Sequence, residues 1–199
     1  MINIKKKVLD FHSKAKSGRF SECKKCPRNP SENKTIYAST CLKHFEIHKN
    51  GLLIIMRDPG GKGAAMTEIL CPYCNEDNSA KSFLKLFNEI KIPHSHIYFC
   101  NAVLHGFVGK NITPSEFELG FCKGVIANLF EILSPKIIFA LGKEALESSF
   151  EILSKGKIIK ASMNMWVEKK FYFGVFNSTH LFSMPHISYC VLNLRNFGF

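Results

Sequence analysis

No apolar run in the chain approaches the roughly 18 consecutive residues that a membrane-spanning helix requires, so helical membrane architectures are excluded. Acidic residues are scarce. Sixteen Asp and Glu stand against 27 Lys and Arg, which gives a formal net charge of +11 and a pI near 9.3. That imbalance suits a polyanionic partner, nucleic acid first, and its competing explanation is a solvated lysine-rich surface. Internal repeats and low-complexity tracts are also missing. Hydrophobic residues at 46% and charged residues at 22% are globular proportions, which excludes collagen-like, coiled-coil and wholly disordered chains. The opening residues 1–7 lack the apolar stretch and small-residue cleavage site of a signal peptide. The expectation is therefore an intracellular, cytoplasmic protein with no membrane association, whose thiols are metal ligands or small buried hydrophobes rather than disulfides.

A length of 199 residues suffices for one good-sized core and not for two. Residues 1–50 are rich in Lys, interrupted by Pro27 and Pro30, and poor in long apolar runs; they read as an amino-terminal arm that cannot bury a core of its own. Residues 51–199 read as the domain. Segments 52–56, 97–100 and 136–141 are continuous apolar runs of strand length, as expected for strands buried on both faces. Helical spacing of Phe83, Leu84, Phe87 and Ile90 predicts a helix over 79–90. Thr113, Pro114 and Glu116 form a capping-box pattern that opens a helix to about Leu133, and a third helix follows Gly142. Segments 171–175 and 181–184 supply the last strand. Alternation of strand and helix predicts parallel strands joined by right-handed crossovers, hence a three-layer α/β/α sandwich.

In such a sheet ligands bind beyond the carboxyl ends of the strands. Asp58 follows the first strand on an Asp-Pro-Gly corner with Pro59 and Gly60. Asn101 ends the second, and His186 follows the last. Each alone is an ordinary turn residue, but an acid, an amide and an imidazole at one end of one sheet make a reactive constellation. Cysteines form a second pattern. Cys23-x-x-Cys26 precedes Cys41-x-x-His44 by fourteen residues, the spacing of a self-contained tetrahedral metal site with zinc favoured. Cys71-x-x-Cys74 is a further pair that could complete a site with Cys23 and Cys26 instead. Cys100 and Cys190 read as buried or loop thiols.

The order of these features resembles the uracil-DNA glycosylase superfamily: a strand with Asp-Pro-Gly, a strand ending in Asn, a Pro-Ser-Glu helix start, Pro135-Lys136 through Gly142, and the terminal Pro185-His186-x-Ser188. Residues 52–188 carry the likeness, which is nearest to the iron-sulfur branch. It implies a central four-stranded parallel sheet between helices and hydrolysis of the bond between a flipped, deaminated base and its sugar, with uracil-containing DNA as partner and a monomer near the nucleoid. On this reading Asp58 favours an oxocarbenium-like centre and orients water. His186 donates to the departing base, and Asn101 reads its amide edge. Tyr73 is the stacking aromatic, although the family's Pro-Phe-Val-Gly pattern is absent. Pro59 and Gly60 shape the pocket, and Ser188, Lys62 and Arg195 contact phosphates. His180 reads as structural, at a strand entrance. The iron-sulfur branch also implies a [4Fe-4S] alternative on Cys23, Cys26 and Cys122, with His105 where the third ligand would stand.

Two other functions fit parts of the pattern. His44-Phe45-Glu46 with Cys71-x-x-Cys74 echoes zinc nucleobase deaminases. A non-catalytic zinc-containing DNA-binding or damage-recognition module on the same fold is the other, because folds outlive sites; Met56 and Arg57 replace the usual small and acidic or amide residues ahead of the motif.

Overall fold

The computed structural model describes residues 3–90 and 94–186. The chain opens with α1 (Ile4–Lys16), capped by the Asn3 side chain, which accepts from the Lys5 amide. Short strands β1 (Thr35–Tyr37) and β2 (Ser39–Thr40) lead to β3 (Leu52–Met56), α2 (Ala64–Thr67), β4 (Ile69–Leu70) and α3 (Asn78–Ile90). Next come β5 (Ile97–Asn101), β6 (His105–Phe107), α4 (Glu116–Leu133), β7 (Ile137–Leu141), α5 (Lys143–Leu153) and α6 (Met163–Val167). A hairpin of β8 (Tyr172–Phe176) and β9 (Thr179–Met184) follows.

The main sheet has the order β5-β3-β7-β9-β8, and its first four strands are parallel. The two carboxyl-terminal apolar runs are separate strands: β9 is the fourth parallel strand, and β8 pairs with it antiparallel as an edge. Asn177 and Ser178 explain the reversal, since both adopt left-handed backbone (φ 46° and 71°), the geometry of a two-residue hairpin turn. His180 lies near the amino end of β9 beside the Tyr172 hydroxyl, 3.3 Å away, and is not among the residues that line the cleft described below.

Alternation along the strands sends side chains to two cores. Tyr98, Cys100, Leu53, Ile55 and Ile138 face a layer built by α1, α4 and α5, while Ile97, Phe99, Ile54 and Leu141 face α3 through Phe83 and Phe87. The amino-terminal arm belongs to the first core: Val8, Phe11 and Ala15 of α1 are buried within it. Apolar packing therefore fastens the arm to the domain independently of any metal. The cap of α4 also sits two residues later than the sequence pattern suggests. Ser115 and Glu118 form the reciprocal capping box, because Glu118 is held there by a second, distant partner described below. Among the described residues no helix is long and apolar enough to cross a membrane.

Candidate active site

Chain order and strand order diverge at β3: β5 lies on one side of it and β7 on the other, with α3 and α4 on opposite faces. Such a switch point opens a crevice at the carboxyl ends. Register aligns the ends, pairing Met56 with Asn101 and Leu141 with Met184. Asp58 and His186 each follow two residues beyond their strands, so all three groups line one cleft of about 860 Å³. Gly142, at φ 95°, provides the turn after β7 over which His186 packs.

Asn101 is 1% exposed, and neither its carbonyl oxygen nor its amide nitrogen has a hydrogen-bond partner among the described residues. Burying both unpaired costs roughly 1–3 kcal/mol per group. A ligand bearing one donor and one acceptor on a planar edge would recover that cost. The neighbouring corner is rigid. Ala102 and Val103 donate to the carbonyls of Met56 and Arg57 at 2.7 and 2.8 Å. Gly106 lies so close to the Pro59 carbonyl that a Cβ would collide with it. Pro59 is buried behind this corner, while Gly60 and Lys62 line the cleft.

Asp58 is held by two arginines. Arg57 donates through Nε to Oδ1 at 2.7 Å, and Arg28 donates through Nη1 to Oδ2 at 3.0 Å. Arg28 is fully buried and uses the rest of its guanidinium on Glu118 Oε1 (2.8 Å) and the carbonyls of His105 (3.1 Å) and Ile112 (2.8 Å), with the Phe107 ring beneath it. Burial pushes the Glu118 carboxyl up, but hydrogen bonds from Ser115 and Arg28 outweigh it and hold the group below its ordinary range. Sequence reasoning missed Arg28 altogether; its only signal was an arginine set between Pro27 and Pro30. Burial, assisted by the Arg57 charge, lowers the His186 pKa, so the imidazole is neutral near pH 7 and can donate a hydrogen bond without being a cation.

Tyr73 does not line this cleft. Its ring lies 5.0 Å from His44 and 6.2 Å from Phe45, because the turn that carries it faces the cysteine cluster. Phe83, Phe99 and Trp166 supply the aromatic surface instead. Ser188, Arg195 and Cys190 lie outside the described residues.

The metal ligands regroup as well. Parallel pairing of β2 with β4 matches Thr40 to Leu70, which brings the next residues, Cys41 and Cys71, side by side. Each begins a tight turn, with His44 donating to the Cys41 carbonyl and Cys74 to that of Cys71. The ligand atoms of Cys41, His44, Cys71 and Cys74 all lie within 4.8 Å of one another, the one such group among the described residues. Three thiols and an imidazole at that separation fit a closed tetrahedral ion. Burial raises the Cys41 thiol, but backbone hydrogen bonds from Lys43 and His44 and those from the Cys74 and Cys71 thiols win and lower its pKa, favouring a thiolate. Cys23 and Cys26 are not part of this group. They sit against α4 in the neighbourhood of Cys122, whose thiol burial pushes up to about 12. Nor do those residues fit a four-thiolate cluster: only Cys23, Cys26 and Cys122 are thiols, the third-ligand position is His105, whose Nε2 bonds the Ala15 carbonyl at 3.0 Å, and they do not form a ligand group among the described residues.

Glu46 pairs with His48 at 2.8 Å, and Cys41 would supply a fourth protein ligand where a deaminase keeps a position open for water, so the group does not suit deamination. No curated protein matches the chain. A family model does: residues 42–198 match the model described as the uracil DNA glycosylase superfamily. With its match spanning most of the sequence, and with acid, amide and imidazole gathered at the switch point of a parallel sheet, the chain belongs to the uracil DNA glycosylase superfamily.

Proposed function

We propose that this protein removes uracil, or a closely related deaminated base, from DNA by hydrolysing the N-glycosidic bond, working as a monomer in the cytoplasm on nucleoid DNA. The observation that carries this reading is the Asn101 amide, buried with both polar atoms unpaired among the described residues in the cleft that Asp58 and His186 also line. A uracil edge offers an N–H donor beside a carbonyl acceptor, and the exposed amino group of cytosine would put a donor against a donor. The bond between C1′ and N1 breaks heterolytically, its electron pair leaving with the base. Asp58 favours the resulting cation and takes the proton of the water whose oxygen bonds to C1′; that proton then passes to the departing base. Neutral His186 donates a hydrogen bond to the carbonyl oxygen on which negative charge grows. Phe83, Phe99 and Trp166 offer rings for the extruded base, and the +11 net charge supplies affinity for the phosphate backbone.

The group Cys41, His44, Cys71 and Cys74 holds zinc in this reading, as a structural ion. Its task is local. Cys71, Pro72, Asn75 and Asp77 all line the cleft, so fixing the turn fixes one wall.

A second reading, a damage-binding module without activity, draws support from the two arginines already satisfying Asp58. One experiment separates them: single- and double-stranded oligonucleotides carrying one uracil are incubated with the protein and treated with alkali. Strand scission at the uracil, lowered at least roughly 100-fold by Asp58→Asn, supports the glycosylase. Tight binding with no scission, indifferent to that substitution, supports the module.

A further inference from the structure

The four charges around Asp58 cancel. Arg28 and Arg57 supply two positive charges, Asp58 and Glu118 two negative ones, and the ion pairs join all four in a row at 2.7, 3.0 and 2.8 Å. A neutral group of this kind does little for a developing oxocarbenium cation, which needs net negative charge close by. The two arginines differ in freedom. The Arg28 side chain is 0% exposed and all three of its nitrogens are engaged, so it is fixed. That of Arg57 is 32% exposed, lines the cleft, and among the described residues is held by its Nε alone.

We infer that Arg57 is a latch on Asp58 that the phosphodiester backbone of the substrate opens. Resting on the glycosylase reading above, the latch makes Arg57 a positioning residue. With no DNA in the cleft it shares its charge with Asp58. A phosphate at the mouth of the cleft offers the guanidinium a stronger, bidentate partner. Exchange of Asp58 for phosphate leaves the group of Arg28, Asp58 and Glu118 with one net negative charge, aimed at the sugar by the immobile Arg28. Activation would thus depend on the backbone that carries the base, so that a free base or nucleoside meets a closed latch. The exchange breaks one ion pair and forms another, with no covalent change.

The test compares wild type, Arg57→Gln and Arg57→Lys on uracil oligonucleotides whose linkages flanking the uridine are either ordinary phosphodiesters or neutral methylphosphonates. Two readouts are taken: the single-turnover rate at saturating enzyme, and binding by fluorescence anisotropy. Neutral linkages should slow wild type and Arg57→Lys at saturation by roughly tenfold or more, while Arg57→Gln should cleave both substrates at rates within about twofold of each other. Equal slowing of wild type and Arg57→Gln overturns the latch, as does an effect confined to binding. If no protein cleaves uracil DNA, the glycosylase reading falls by itself. The phosphate exchange is then judged on the binding arm, where it stands only if neutral linkages weaken wild type more than Arg57→Gln.

Discussion

His12 projects from α1 between two tyrosines, its Nδ1 against the Tyr37 hydroxyl and its Nε2 2.7 Å from that of Tyr98. Burial lowers its pKa from 6.5 to about 4, and burial of His105, against the Ala15 carbonyl and near Arg28, does the same. Both imidazoles are therefore folded neutral, and the unfolded chain takes up their protons first. Stability is full above about pH 6.5 and drains as the pH falls toward 4, each shift of this size being worth about 3 kcal/mol once complete. Between about pH 7 and pH 5 the loss should be about 2 kcal/mol per histidine, which moves a urea midpoint by roughly 1 M for each. The assay is urea unfolding at several pH values for wild type and for His12→Gln, which keeps polar contacts to the tyrosines and does not titrate. The substitution should remove roughly a third to a half of the slope, because buried His186 titrates in the same direction as His12 and His105. Acid also releases any ion bound by the cysteine group, but equally in both proteins, so the difference carries the test. A flat wild-type profile, or an unchanged slope in His12→Gln, would refute the reasoning.

Other substitutions probe separate parts of the molecule. Arg28→Met strands the carboxylates of Asp58 and Glu118 in a buried setting and should cost about 3–5 kcal/mol in thermal or urea unfolding; a loss under about 1 kcal/mol would show that water reaches them. Cys71→Ala should abolish binding of one zinc equivalent, measured by elemental analysis and a chromogenic chelator, whereas Cys26→Ala should leave the stoichiometry intact; the reverse pattern would restore the amino-terminal grouping. Asn101→Leu removes two buried polar atoms that are unpaired among the described residues, so it should hold or raise stability by about 1 kcal/mol while erasing discrimination between uracil and cytosine. A destabilised variant would mean that the amide has a partner in the resting protein.

Much of the architecture can be read from the order of apolar runs. Continuous segments at 52–56, 97–101 and 137–141 have no amphipathic alternative, so they fall into the parallel sheet, and the residues that follow them are the ones that converge. Asp58, Asn101 and His186 were legible for that reason. What was hidden depends on contacts between short or atypical elements. Spacing alone joins Cys23-x-x-Cys26 to its nearest neighbour, whereas the actual partner of Cys41 is selected by a two-residue parallel bridge too brief to leave a pattern. Tyr73 follows from the same cause: once its flanking cysteines belong to that cluster, the ring turns toward His44. Arg28 was illegible because a solitary arginine in a basic arm looks solvated, and only three-dimensional proximity to two acids explains its burial.

The family match starts at residue 42, yet the cation that orients Asp58 from behind comes from residue 28. A fragment trimmed to the matched boundaries would retain Asp58, Asn101 and His186 of the cleft and lose the counterweight that holds Asp58 from behind. Expression trials, chimaeras and grafts using this protein should accordingly carry the first forty-one residues as machinery, not as a dispensable leader.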